Sequence, residues 1–346
     1  MNKPSPSMDR RTFLGSGALG AALAAGRQAL GATPCEQAPQ APEANAANPV
    51  RRVPELAGPW IQVAHSPALP EIQSPPGQVV DHCFFRATSG KWQLWTQIRD
   101  TAIGRLFYRW EGGSEFEHPD WTPSGICWRA DRQCGESWDT GSQEFIHAPY
   151  VRYDRDRFVM YYGGGPSRHG DAQISIATSP DGMEFTRITD ADGNSAAFAG
   201  PGYARDAMVL RTGDRYLMYY AADEAGRGVI AVRTASRAYG AQWSDYHIAS
   251  QGGVCGTNRT SQQCPYVLFL DGYYYLFKMG PSNLFKTAVY RSEDPLFFGK
   301  DDDQLVTVLE ASAAEVIAVG DRYYLSSLIP GYKGVRVCRL DWVPEA

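Results

Sequence analysis

Hydrophobic and polar positions alternate along this chain in five copies of one pattern. Each has an apolar, β-branched or aromatic run, a turn rich in Asp, Gly or Ser, and a second run rich in Tyr, Trp and Leu. The copies read VVDHCFFRATSGKWQLW from Val79, FIHAPYVRYDRDRFVMYY from Phe145, YARDAMVLRTGDRYLMYY from Tyr203, QQCPYVLFLDGYYYLF from Gln262 and ASAAEVIAVGDRYYLSS from Ala311. Two such runs across a short turn read as a β-hairpin. A third run follows each hairpin, as in LFYRWEGG or GVRVCRLDWV, and usually a fourth. Units of about four antiparallel strands, recurring every 50 to 66 residues or so, cannot bury both of their faces alone, and they predict an all-β, five-bladed β-propeller. The last copy has only three strands. The isolated β-like run Trp60-Ile61-Gln62-Val63-Ala64 is therefore expected to supply the missing edge strand and close the ring. Between the first two copies, HPDWTPSGICWRADRQCGESWDTGSQ is longer than a hairpin needs and reads either as a surface excursion or as a substrate-binding flap.

Composition changes the picture mainly at the N-terminus. Arg10-Arg11-Thr12-Phe13-Leu14 ahead of a Gly/Ala-rich run reads as a twin-arginine export signal over residues 1–32, which places the mature protein in the periplasm or outside the cell. Its apolar part is shorter than the roughly 20 residues of a permanent membrane span, so no stable span is expected. Residues 33–58 are rich in Ala and Pro without periodicity and read as a linker. The propeller is then expected over residues 59–346, and a monomer is favoured. The chain carries a formal net charge of −5, and the putting aside of residues 1–32 removes more basic than acidic side chains, which argues against nucleic acid as a partner. Seven cysteines are too few for a disulfide scaffold at this length. Cys127 with Cys134 and Cys255 with Cys264 are near enough in sequence to pair, Cys83 and Cys338 read as buried thiols, and Cys35 follows a poor lipidation motif. There is no HExxH, no CxxC pair and no GxGxxG, so neither a metal nor a cofactor is predicted.

The candidate chemistry is positional. Two residues before a Pro/Ala slot in the inner strand, the five copies place Asp81, His147, Arg205, Gln263 and Ser312. Inner strands face the axis, so these groups are expected to converge on one mouth. Asp206, one before the slot, and Glu315, one after it, are expected on similar faces of their strands. His82 joins His147, Arg205 and Gln263 as a candidate sugar contact, and Trp121, Trp128 and Trp138 as candidate stacking platforms.

These segments carry a family resemblance. Tyr203-Ala204-Arg205-Asp206-Ala207-Met208-Val209 resembles the RDPMV segment of the five-bladed propeller glycoside hydrolases (families 43 and 32: arabinanases, xylosidases, invertases, levansucrases), with Ala207 in place of Pro. Gln262-Gln263-Cys264-Pro265 resembles their ECP segment, and Ser292-Glu293-Asp294-Pro295 and Ser179-Pro180-Asp181-Gly182 resemble loops that join their outer strands. The resemblance spans residues 78–343. It implies a glycosidase acting on a poly- or oligosaccharide, with Asp81 as base or nucleophile and Asp206 as the carboxylate that orients the sugar. Arg205 would hold a hydroxyl or a uronate carboxylate. The sequence departs from the family at Gln263, which stands where the acid Glu is expected and has no proton to give. Three readings stay open: Glu315 is the acid, His147 handles the proton in a hydrolase or in a lyase of uronate-containing glycans, or the propeller binds sugar without cleaving it.

Overall fold

The computed structural model describes residues 49–72, 77–117, 121–137, 143–165, 172–281 and 284–345. The export signal, Cys35 and Trp138 lie outside the described residues. The fold begins with β1 (Arg52–His65). Blade 1 contains β2 (Gln78–Arg86), β3 (Trp92–Thr101), β4 (Gly104–Glu111) and β5 (Thr122–Trp128), and blade 2 contains β6 (Ile146–Asp154), β7 (Arg157–Gly164), β8 (Gln173–Ser179), β9 (Thr186–Arg187) and β10 (Ala196–Ala199). Blade 3 contains β11 (Arg205–Thr212), β12 (Arg215–Glu224), β13 (Arg227–Ala235) and β14 (His247–Gln251). Blade 4 contains β15 (Gln263–Leu270), β16 (Tyr273–Met279), β17 (Thr287–Ser292) and β18 (Leu305–Leu309), and blade 5 contains β19 (Val316–Val319), β20 (Arg322–Leu328) and β21 (Gly334–Pro344). Each blade is one antiparallel sheet, and the protein is a five-bladed β-propeller.

β1 pairs with β21 from Arg52↔Pro344 to His65↔Gly334, so the first strand is the outer strand of the last blade. It starts at Arg52, inside the stretch read as linker, because Arg52 to Ala57 find partners along β21. Most of the inner hairpins turn in two residues, and in the Asp271-Gly272 turn both residues have positive φ (50° and 92°), the twist that suits a tight hairpin.

Alternation explains why the strands read as almost unbroken apolar runs. In β7, Phe158, Met160 and Tyr162 pack toward blade 1 with Phe85, Trp95 and Phe107, whereas Val159 and Tyr161 pack toward blade 3 with Val209, Met218 and Tyr220. Both faces of a blade are therefore core, and each fully buried aromatic side chain contributes about 1.5–3 kcal/mol of transfer free energy. Val63 and Ala64 of β1 join Val335 and Val337 of β21 in the cluster shared with blade 1, which seals the ring.

The long stretch between the first two copies is partly blade: Thr122–Trp128 forms the fourth strand against β4. Trp121 is buried edge-on to Phe84 and Phe116, and Trp128 packs against Tyr162 under the Arg187 guanidinium. Both are packing residues. Neither of the two pairs near enough in sequence, Cys127 with Cys134 and Cys255 with Cys264, is joined. The thiol of Cys255 points to the Lys278 carbonyl oxygen and that of Cys264 to the Asp81 carboxyl.

Candidate active site

The inner strands of blades 1 to 4 each contain one non-glycine residue with positive φ near the start, Asp81 (43°), Ala148 (41°), Asp206 (56°) and Cys264 (48°), and Ala313 (51°) takes the same conformation just before β19. In blades 1 to 4 the pairing with the second strand slips at that point. Such bulges re-aim a side chain and typically cost about 1–3 kcal/mol, which the surrounding packing must offset. Gln97 shows one support, since its Oε1 accepts the Ala148 N–H at 3.0 Å. The positive-φ residues give the true five-fold equivalence. Asp81 matches Ala148, Asp206, Cys264 and Ala313, while Val80 matches His147, Arg205, Gln263 and Ser312.

The equivalence corrects the sequence register at blade 1 by one residue. The turn there spans residues 87–91, against two-residue turns at 155–156, 213–214, 271–272 and 320–321, so counting from the aromatic runs misplaces Asp81. The corrected register puts Asp81 and Asp206 in the same structural position two blades apart. One carboxyl oxygen of each lies with Cys264 Sγ in a group whose atoms are all within 4.8 Å of one another. This is the group among the described residues with the spacing to hold a cation. Burial pushes the Cys264 thiol well above its ordinary range, so it would be a poor ligand.

The two aspartates face a cavity of about 490 Å³ that is also lined by Gln97, Arg99, Arg105, His147, Tyr203, Arg205 and Gln263. Burial first, and then the charge of Asp206, pushes Asp81 up to about 6. Asp206 Oδ2 accepts the Cys264 N–H at 3.1 Å and lies 3.6 Å from Arg205 Nε. His147 is held well below its usual range by burial, and then by Arg105, Arg205 and Arg99, so it is neutral. Arg105 Nη1 lies 2.9 Å from His147 Nε2, and Tyr203 Oη lies 3.1 Å from the same nitrogen. A Cβ on Gly163 would come within 2.9 Å of His147 Cβ, so the glycine in β7 makes room for the ring.

Three residues expected at the mouth do not line it: Ser312, which is buried with its Oγ on Met279 Sδ, and Glu315 and His82. Glu315 and His82 line a smaller cavity of about 40 Å³ that shares Asp81 and Asp206 with the mouth, and neither lines the larger cavity. The cause is the strand period. Glu315 stands two residues past the positive-φ Ala313, and its carboxyl accepts the Phe84 N–H at 3.2 Å, with burial raising its pKa. His82 stands one past the bulge, where other blades have Pro or Ala. Its Nε2 meets Ser326 Oγ at 2.7 Å, and burial lowers it to about 3. Gln263 lines the mouth and donates from Nε2 to the Gly280 carbonyl at 3.2 Å. Sequence reasoning missed Arg99, Arg105 and Tyr203. The first two flank the β3–β4 turn, and their only trace in the sequence is a pair of arginines on either side of it.

No family model and no curated protein sequence matches the chain. Among solved structures, a thermostable family-43 glycoside hydrolase is similar at 18% identity and TM-score 0.57, covering 78% of this chain and 91% of that one. An endo-arabinase from Bacteroides thetaiotaomicron is similar at 13% and 0.57, covering 78% and 94%. A GH32 β-fructofuranosidase from Bombyx mori is similar at 14% and 0.53, covering 81% and 61%. With the ring of bulged inner strands, these likenesses give the chain the five-bladed propeller fold of the family 43 and family 32 glycoside hydrolases.

Proposed function

We propose that this protein is a glycosidase that cleaves a poly- or oligosaccharide in the propeller mouth. Asp81 acts as base or nucleophile, while Asp206 and Arg205 orient the sugar. The observation that carries this reading is the placement of two aspartates on equivalent bulges, side by side in one cavity, with Asp81 pushed up to about 6. A carboxyl poised there changes protonation state near neutral pH, as acid/base chemistry requires. Gln263 can hold a hydroxyl but cannot protonate a leaving oxygen. Among the described residues no further carboxyl lines the mouth, so glycosides whose leaving group needs no proton should react fastest. An aryl-glycoside and glycan panel with the wild type and Asp81→Asn tests this. Turnover that depends on Asp81 supports the reading, and binding without any turnover would make the protein a sugar-binding propeller.

One observation favours a second reading. His147, kept neutral and in contact with Tyr203, faces the mouth beside arginines that suit a uronate carboxylate. A lyase would remove the proton next to that carboxylate and expel the linking oxygen, leaving an unsaturated sugar that absorbs ultraviolet light. Its appearance would replace hydrolysis by elimination. We also propose that residues 1–32 direct export by the twin-arginine route, on the strength of the Arg10-Arg11 motif.

A further inference from the structure

The cavity gathers three guanidinium groups, from Arg99, Arg105 and Arg205, against two carboxyls, on a chain whose formal net charge is −5. The arginines act together, since all three contribute to holding His147 neutral. Their partners are largely uncharged. Arg99 donates from Nε and Nη2 to the single Gln78 Oε1, at 2.8 and 2.6 Å, and lies over the Tyr332 ring. Arg105 contacts the neutral His147 ring and lies over Phe145. Among the described residues neither of them forms an ion pair. Arg205 is 4% exposed and donates from Nη1 to the Tyr203 carbonyl, with Asp206 beside its Nε. Its Nη2 is buried and has no hydrogen-bond partner among the described residues.

Among the described residues, buried arginine nitrogens without an acceptor also occur at Arg109, Arg152, Arg157 and Arg336, so what sets the mouth apart is that three guanidinium groups line one cavity. Neutral sugar hydroxyls do not need three cations. An anionic oxygen group matches the charge and offers the paired acceptors that an arginine fork binds best. A positive cleft in an acidic protein also focuses its field on anions.

We propose that the mouth is selective for an acidic glycan, one whose sugar ring carries a carboxylate or sulfate that docks among the Arg99, Arg105 and Arg205 guanidinium groups. The inference rests on the glycan reading above and specifies its substrate class. A glycan array carrying matched uronate, methyl-esterified uronate, sulfated and neutral oligosaccharides tests it with the full-length protein, at low and at physiological salt. Retention of acidic glycans is expected, weakening as salt rises, with the neutral counterparts at least tenfold weaker. Loss of binding on esterification identifies the carboxylate as the ligand, and retention of the sulfated set identifies sulfate.

Arg205→Gln is expected to lower affinity for the acidic ligands at least tenfold. Arg99→Gln, at a more exposed site that tolerates replacement better, is expected to reduce the acidic preference without loss of fold. Equal binding of neutral and acidic glycans, unchanged by either replacement, overturns the proposal and leaves the glycosidase reading standing. An array with no bound glycan of any kind overturns both.

Discussion

Asp81 is the residue on which the chemistry turns, because it combines a strained backbone, a carboxyl neighbour and a pKa near 6 against an ordinary 3.8. Replacement by Asn removes the titrating group and little volume. We expect turnover to fall by about 10² to 10⁴-fold with sugar binding retained, measured as kcat against Kd. As base or nucleophile Asp81 must be ionised, so kcat/KM should rise as pH passes through about 6; a fall across that range would make it the proton donor. Stability should move the other way. A carboxyl whose folded pKa is raised favours the fold below its unfolded value and loses that contribution as pH climbs through the folded value. Denaturant titrations of the wild type should therefore lose stability between pH 4 and 7 relative to Asp81→Asn, by about 3 kcal/mol at most. At blade 4, Gln263→Glu puts a carboxyl in the mouth where none of the described residues supplies an acid. Hydrolysis of glycosides with poor leaving groups should rise, measured by reducing-end release. No change in rate or pH profile would show that position 263 does not act on the leaving oxygen.

At the scale of the element, the bulge is the device that makes an inner strand functional. It lets one strand present Arg205 and Asp206 to the mouth in succession, which regular alternation would forbid. Close approach between neighbouring strands then sets side-chain position. Gly163 of β7 is the example, since a methyl group there would meet His147 Cβ at 2.9 Å. Gly163→Ala should shift the His147 ring off Arg105 and Tyr203. The expected readout is an altered His147 chemical shift and a several-fold loss of activity, with a smaller loss of thermal stability. A variant identical to the wild type in both would show that the ring has room to spare.

For the whole molecule, closure is what stabilises the ring. Without β1, the whole length of β21 becomes an open edge and the cluster around Val63 and Val335 faces water. Starting the chain at Ser66 should abolish cooperative unfolding or drive aggregation, seen by calorimetry and light scattering. A truncated chain with an unchanged Tm would show that β1 is dispensable. Export belongs to this scale too. Arg10→Lys with Arg11→Lys keeps the charge but removes the recognised pair, and cell fractionation should then find the protein in the cytoplasm. Periplasmic delivery of the double variant would refute the signal.

The five hairpins, the four-stranded blades and the closing strand were legible in the sequence, because an apolar period of two and a recurring turn are local properties that burial on both faces of a blade preserves. Arg205, Asp206 and Gln263 were legible for the same reason, each sitting at a countable distance from a repeated turn. The register of Asp81 was not, since the longer turn of blade 1 breaks the count, and the backbone twist that marks the true equivalence has no residue signature when Asp, Ala and Cys all adopt it. Nor could the sequence show that Glu315 and His82 line the smaller cavity beside Asp81 and Asp206 while Arg99 and Arg105 line the larger one. A side chain's direction depends on where a bulge resets the strand period and on which neighbouring blade closes over it, and those are contacts between segments far apart in the chain, which only the folded ring brings together.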